Sequence, residues 1–417
     1  MGEEKLLPRL QKTVKLALNV SYHRERLKNV GITSAEDVQT LEDFARIPLT
    51  SKEDLRQNYP FGLIAVPMEE IVELHASSGT TGKPIVAGYT KNDVALWGKI
   101  VAKGLQRIGV TKDDVIQVSY GYGLFTGGIG LHYGGLELGA VTVPMSGGNT
   151  QRQLMLMQDF GATVLACTPS YALYLGDSLA EAGIKLSDIK LRKGVFGAEP
   201  WTPQMRKEIE ERLGIEAFDI YGLTESMGPG VALDCHEHSG LHIDEHFYPE
   251  ILDDNGNILP LGEKGSLVLT SIDKEGFPGL RYHTKDLTRL RYGRCSCGFE
   301  GWTMDKVSAR VDDMLIIRGV NVFPSQIEEA ILSVEGVIPH YLINVERVES
   351  LDVLEVWVEV NDQSFLEDIR ELESLKERLQ NRIQNIINIA VRVKLVEPKS
   401  IPRSEGKAKR VIDKRKG

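Results

Sequence analysis

Between about residues 70 and 230, short β-branched runs alternate with amphipathic stretches, and this alternation constrains the fold more than any other feature. VIQVSYG, a Gly-rich segment, AVTVPM, QRQLMLMQDF, TVLACTP, SYALYLGDSLAEAG, LRKGVFGAE, MRKEIEERLG and EAFDIYG follow one another. Strands that return parallel to their predecessors need crossovers, and helices are the usual ones. The rhythm therefore predicts an α/β fold with a mostly parallel, helix-covered sheet.

The flanking regions differ. Residues 1 to about 70 are polar and helix-patterned, with LQKTVKLAL and TSAEDVQTLEDFARI spaced by three and four, and Thr33-Ser34 and Thr50-Ser51 placed to cap. From about 240 to 310, HFYPEILDDNGNILP, KGSLVLTSI and GLRYHTKDLTRL read as closely spaced antiparallel strands with a hairpin turn at Asp-Asn-Gly-Asn. After Val311, the helix SQIEEAILSVEG, the strand pair in YLINVERVESLDVLEVWVEV, the long helix LEDIRELESLKERLQNRIQNII and the strand VRVKLVEP outline a separate small α/β domain. The expected division is 1–311 for a large N-terminal domain that includes a strand-rich subdomain, and 312–417 for a small mobile C-terminal domain.

At 417 residues the chain has material for two or three domains, and 42% hydrophobic with 26% charged residues is ordinary globular usage. A net charge of −10 predicts no nucleic-acid or anionic-membrane partner. The longest apolar stretches fall short of the roughly 20 residues that span a membrane, and MGEEKLLPRLQK lacks the apolar core of a secretory signal, so a cytoplasmic protein is expected. The four cysteines, Cys167, Cys235, Cys295 and Cys297, then read as thiols or metal ligands.

The strongest local signal is Ser77-Ser78-Gly79-Thr80-Thr81-Gly82-Lys83, after the strand-like IVELHA. Small residues let backbone approach a phosphate, hydroxyls and amides donate to it, and Lys83 supplies charge. It is not a Walker A loop, because two residues rather than four separate its glycines. A plain Gly/Thr turn is the bland alternative.

That string resembles the phosphate loop of the adenylate-forming enzymes, the superfamily of acyl-CoA synthetases, luciferases and peptide-synthetase adenylation domains. Further matches follow in order: Tyr221-Gly222-Leu223-Thr224-Glu225, Tyr282-His283-Thr284-Lys285-Asp286, Arg310-Val311-Asp312-Asp313 and Pro402-Arg403-Ser404-Glu405-Gly406-Lys407. Within the superfamily, PLTSKEDLR, YGLFTGGIGLHYG, RGVNVFPSQIEEAIL and PRSEGKAKRVID resemble the phenylacetate-CoA ligases.

The resemblance implies an AMP-forming acid–CoA ligase that uses ATP, Mg²⁺ and coenzyme A on an aryl or arylacetic acid, phenylacetate first. Residues 77–83 would then hold the β- and γ-phosphates, Thr224 would contact the α-phosphate, and Glu225 would hold Mg²⁺, a hard cation that prefers oxygen. Asp286 and Arg310 are implied for the ribose, Gly197, Ala198, Glu199 and Pro200 with Tyr221 and Gly222 for the nucleotide, and Arg318 for the nucleotide end of CoA. Lys407 is implied as the lysine that bridges the substrate carboxylate and the α-phosphate, and Asp312 as the hinge between two half-reactions. Apart from the resemblance, Lys407 also reads as the start of a solvated basic tail. Tyr122, Phe125 and Tyr133, among glycines, suit the walls of a flat apolar slot; a Gly-rich helix packed tightly on the sheet is the other reading. The N-terminus is shorter than in long acyl-CoA synthetases, and the resemblance to phenylacetate-CoA ligases implies a homodimer that completes the fold.

Cys295-Ser296-Cys297-Gly298 resembles half a zinc knuckle and needs a second half. Cys235 and His242 are expected to supply it in a structural Cys₃His site, with His238 the runner-up to His242 and reduced loop thiols the alternative. Two rival functions remain open on the sequence: adenylation of an acid for a carrier protein or a cofactor, and a non-catalytic nucleotide-binding regulator.

Overall fold

The computed structural model describes residues 3–77, 84–348, 351–360 and 369–416. These form two compact units that interleave along the chain: Met1–Cys167, Ile189–Ala198 and Phe218–Lys306 in one, and Thr168–Asp188, Glu199–Ala217 and Val307–Gly417 in the other.

The first unit is built on one continuous sheet. Val141–Val143, Val115–Val118, Val164–Cys167 and Lys193–Gly197 lie side by side, with Ile116 opposite Val164 and Leu165 opposite Gly194 in parallel register. These strands are the β-branched runs read from the sequence, and Val164–Cys167 is buried throughout, as a strand covered on both faces must be. Beyond Glu216–Tyr221 the pairing turns antiparallel through Ala232–Leu233, Leu241–Ile243, Glu300–Met304, Tyr282–Arg294, Lys264–Ser271 and Phe247–Leu252. The strand-rich region is thus an extension of the same sheet. The Asp-Asn-Gly-Asn turn forms as expected, with the Asp253 carboxylate accepting from the amides of Asn255 and Asn257.

Helices Lys91–Arg107 and Thr126–Leu138 pack against each other beside the parallel strands. The Gly-rich stretch is therefore helical, and its glycines set the helix spacing. A Cβ at Gly134 would stand 2.3 Å from the Val101 side chain, and one at Gly135 would stand 2.3 Å from that of Thr142.

The N-terminal segment packs as helices Glu3–Ala17 and Ser21–Asn29, with Leu10, Val14 and Phe44 meeting Ile272 and Leu280. TSAEDVQTLEDFARI, which reads as one helical pattern, is two short pieces, Ala35–Asp37 and Leu41–Ala45. Thr40 and Asp43 close a capping box that starts the second piece afresh. Arg281 fastens this segment to the sheet. Its guanidinium pairs with Glu250 through two 2.9 Å bonds and donates to the carbonyls of Ala45 and Ile47, and both charged side chains are buried.

In the second unit a four-stranded sheet runs in the order Arg392–Val396, Leu351–Val360, Val337–Val348 and Val411–Asp413. Helices Pro324–Leu332 and Ile369–Ile387 cover it, burying Ile327, Ile331, Leu379 and Ile383 against Ile343, Val356 and Val358. Helices Pro169–Glu181 and Pro203–Leu213 also belong to this unit. Among the described residues no helix is long and apolar enough to cross a membrane.

Candidate active site and candidate metal centre

In the first unit, the strand Glu216–Tyr221 delivers the YGLTE turn to its C-terminal end. The strand before it must come very close. A Cβ at Gly197 would lie 2.1 Å from the carbonyl oxygen of Ile220, so a side chain there would push the two strands apart. Gly222 is equally constrained by the backbone of Gly228 and Pro229.

Thr224 and Glu225 are both nearly buried. The Thr224 carbonyl accepts from the Tyr89 hydroxyl at 3.5 Å, its side-chain oxygen faces that of Thr126 at 3.5 Å, and Tyr282 donates to Glu225 at 3.3 Å. Asp286 is buried, accepts from the Tyr221 hydroxyl and takes its backbone turn from Thr284. The YGLTE turn and the strand Tyr282–Arg294 thus meet through two direct contacts, Tyr221 with Asp286 and Tyr282 with Glu225, across 65 and 57 residues of sequence. Of the SSGTTGK loop, Ser77 is described, hydrogen-bonded to Ile85, while Ser78, Gly79, Thr80, Thr81, Gly82 and Lys83 lie outside the described residues.

Two further groups lie here, Asp93, whose sequence signal is that of a helix cap alone, and Lys274, which has none. Asp93 closes the capping box of helix Lys91–Arg107, and its carboxylate also accepts from the amides of Glu275 and Gly276 at 2.7 and 2.8 Å. Lys274, at 1% exposure, sits 4.2 Å from the centre of the Tyr89 ring and 5.1 Å from that of Phe277, with no hydrogen-bond partner among the described residues. Burial pulls its ammonium down to about 8, against the opposing charges of Asp93 and Glu225.

The aromatic residues expected at the acid slot lie on and just before helix Thr126–Leu138. Tyr122 reaches His132 at 3.3 Å, and the rings of His132, Tyr133, Trp97 and Tyr89 continue from it as one chain of edge and stacked contacts. Tyr133 also donates to Glu73. Phe125 stands just before helix Thr126–Leu138, over Gly127.

In the second unit, a cavity of about 360 Å³ is lined by Glu199, Pro200, Arg310, Asp312, Phe323 and Arg410 among others. Arg310 is paired with Asp312 at 3.0 Å, so the residue expected at the ribose and the residue expected at the hinge form one ion pair. Arg318, at φ +50°, donates to the carbonyl of Asp352. Ala198 also has a positive φ, +72°, which turns the chain sharply at Glu199. Lys407 lies in a turn where Ser404 accepts from Gly406 and donates to the Lys407 carbonyl.

The metal candidates come together in the first unit. One ligand atom from each of Cys235, His242, Cys295 and Cys297 lies within 4.8 Å of all the others. Cys235 Sγ is 4.0 Å from Cys295 Sγ, and His242 Nε2 is 3.2 Å from Cys297 Sγ. His242 is buried in the strand Leu241–Ile243, stacks on Phe299, and has Nδ1 3.0 Å from the Thr303 hydroxyl, which turns Nε2 toward the thiols. Burial lowers its imidazole to about 4 and keeps it neutral, the form a metal requires. His238 is bonded instead to Asp234 at 2.9 Å. Gly298, at φ +92°, makes the tight turn after Cys297.

Comparison with known proteins agrees with this architecture. The family model of AMP-binding enzymes matches residues 11–272, and that of the AMP-binding enzyme C-terminal domain matches residues 319–415. A phenylacetate-coenzyme A ligase of Escherichia coli strain K12 is 50% identical over 412 residues, covering 98% of this chain and 93% of its own. One of Pseudomonas putida is 48% identical over 413 residues with the same coverage. Among solved structures, a 2-hydroxyisobutyryl-CoA ligase in its postadenylation state superposes with a TM-score of 0.93 at 26% identity, covering 99% of this chain and 90% of its own. In its thioesterification state, the same ligase gives 0.71 at 27% identity, covering 99% and 89%. On these matches, the chain belongs to the phenylacetate-coenzyme A ligase family of AMP-binding enzymes.

Proposed function

We propose that this protein joins an arylacetic acid, phenylacetate first, to coenzyme A in an ATP-dependent, AMP-forming reaction. The observation that carries the reading is identity of 48 to 50% along nearly the whole chain to phenylacetate-coenzyme A ligases. It is supported by the burial of Thr224, Glu225 and Asp286, with Tyr282 bonded to Glu225 and Tyr221 bonded to Asp286.

In the first half-reaction, a carboxylate oxygen of the acid forms a bond to the α-phosphorus of ATP, and the bond to pyrophosphate breaks. Two anions must meet, so positive charge and oriented donors lower the barrier. Thr224 donates to the α-phosphate, and Asp286, oriented by Tyr221, accepts from the ribose hydroxyls with Arg310 as its partner. Gly197, Ala198 and Pro200 border the base, residues 77–83 hold the outer phosphates, and Lys407 bridges the reacting carboxylate and phosphate. Glu225 would hold Mg²⁺, which supplies further charge neutralisation when bound; a buried carboxylate beside a phenol hydroxyl suits a hard cation. In the second half-reaction the CoA sulfur bonds to the acyl carbon, the acyl–phosphate bond breaks and AMP leaves. Rotation of 312–417 about Asp312 against 1–311 exchanges the two stages, with Arg318 meeting the CoA nucleotide. The recording of the related ligase in separate postadenylation and thioesterification states supports such an exchange. Tyr122 and Phe125 border the aryl pocket, with Tyr133 behind them.

The Cys235, His242, Cys295 and Cys297 cluster fits a structural zinc. Zinc–sulfur bonds of about 2.3 Å put two thiolate sulfurs of a tetrahedral site roughly 3.8 Å apart, near the 4.0 Å between Cys235 and Cys295. Zinc there would staple strand and turn, remote in role from the chemistry. We further infer a homodimer and a cytoplasmic setting, the latter supported by four cysteines none of which is in a disulfide.

The test is AMP release from ATP and Mg²⁺ with a panel of aryl acids, with and without CoA. AMP formed steadily with phenylacetate only when CoA is present supports the reading. Turnover that needs a carrier protein or another acceptor in place of CoA overturns it in favour of the adenylating alternative.

A further inference from the structure

The Lys407 loop is held by an arrangement that ordinary loop closure does not require. Helix Pro169–Glu181 begins with free backbone amides, as every helix does. Thr168 caps one of them, accepting from the Tyr171 amide at 3.3 Å, and the same hydroxyl donates to the carbonyl of Gly406 at 3.0 Å. The Ser170 amide donates to Glu199 Oε1 at 2.7 Å, and the other oxygen of that carboxylate accepts from the amide of Ala408 at 2.9 Å. Arg410 donates to the Ser170 hydroxyl at 3.2 Å while its guanidinium lies over Tyr341, with Glu328 at 3.7 Å. Gly406 and Ala408 flank Lys407, so the backbone on both sides of the lysine is gripped by residues 168, 170 and 199.

The sharp turn at Ala198 aims Glu199 at both amides. A carboxylate suits the place twice over: it faces the positive end of a helix, and its two oxygens can serve two donors at once. All three gripping residues precede Asp312 in sequence, and the gripped loop follows it.

We propose that Glu199 is the positioning residue for Lys407, clamping its backbone to the N-terminus of helix Pro169–Glu181 for the acid-activation half-reaction and releasing it for the second. This rests on the ligase reading above and gives Glu199 a role distinct from bordering the adenine. A residue that touches the base acts on ATP affinity. A residue that fixes Lys407 acts on the rate of adenylation and leaves ATP affinity alone.

The experiment uses the full chain, measuring adenylation with hydroxylamine trapping of the acyl-adenylate, and thioester formation from supplied phenylacetyl-adenylate and CoA. Glu199→Ala is expected to lower adenylation kcat about tenfold and near-isosteric Glu199→Gln about threefold, both with KM for ATP unchanged. Thioester formation is expected to stay within about twofold of the parent. In a Lys407→Ala background, adding Glu199→Ala is expected to cost nothing more, since both changes disable one device. A rise in KM for ATP alone, equal loss of both half-reactions, or additive loss in the Lys407→Ala background would each overturn the clamp while leaving the ligase reading intact. Full adenylation by Lys407→Ala would overturn the clamp together with the assigned role of Lys407.

Discussion

Lys274 offers a quantitative test of how this protein spends stability on its site. The side chain is 1% exposed, and burial pulls its ammonium from 10.5 to about 8. A native value below the unfolded one means that, between these two pH values, the unfolded chain binds the extra proton. Stability therefore rises with pH across the window from about 8 to 10.5, and below it the full cost of burying the charge is present. At about 1.4 kcal/mol per pH unit, the shift amounts to about 3 kcal/mol at pH 7. Replacing Lys274 with Met, of similar length and without charge, removes that cost, so Lys274→Met is expected to be more stable than the parent by up to about 3 kcal/mol at pH 7. The advantage should shrink through pH 9 and vanish near 10.5. Urea unfolding followed by circular dichroism at several pH values measures both the gain and its decay. A Met variant less stable than the parent at pH 7, or a gain that does not change with pH, would refute the reasoning. It would mean that Asp93 and Glu225 compensate the ammonium in full.

Breaking the buried Arg281–Glu250 pair should act in the opposite sense. Glu250→Ala strands the Arg281 guanidinium and is expected to cost about 3 kcal/mol or more by denaturant midpoint, with much of the loss recovered in a Glu250→Met, Arg281→Met double variant. Gly197→Ala, which would force a methyl to 2.1 Å from the Ile220 carbonyl, should lower the melting temperature and abolish turnover, measured by calorimetry and AMP release. Asp286→Ala should raise KM for ATP about tenfold while Tyr221→Phe raises it less, in steady-state kinetics, since the phenol only orients the carboxylate. Metal analysis of the purified protein should find one zinc per chain; Cys297→Ser should lose it, and with it several degrees of melting temperature.

Local signals carried the parts of this fold that depend on neighbours in sequence. Ser51 and Asp54 announce a helix start because the box they close spans three residues, and Asp253 announces its turn for the same reason. The same locality explains the misread stretch at Thr33–Ile47, where apolar spacing suits one helix but Thr40 and Asp43 restart it. His242 stands between Leu241 and Ile243 in the sequence, an apolar setting that favours it over His238 as the metal-facing imidazole and that also places it in a buried strand. The Gly-rich segment holds two readings because small residues serve equally well beside a ligand and beside another helix, and the close packing at Gly134 and Gly135 is visible only in three dimensions. Illegible altogether were Lys274 beneath Tyr89, Arg281 on Glu250 and Ala45, and Glu199 under Ala408. Each joins residues distant in the chain, and a lone Lys, Arg or Glu looks the same in sequence whether it faces water or a buried partner.

The seam at Arg281 bears on how this family can be recombined. Its side chain holds the carbonyls of Ala45 and Ile47, while its backbone carbonyl accepts from Thr50 at 2.9 Å and the His283 amide returns to the Thr50 carbonyl at 2.9 Å. Asp286 is five residues further on. The first fifty residues are therefore no detachable leader that chimeras may swap freely. A graft that imports a relative's N-terminal helices must bring a matching 45–50 edge, or keep Arg281 and Glu250 as a set, because an ill-fitting edge would shift the very strand that carries Asp286.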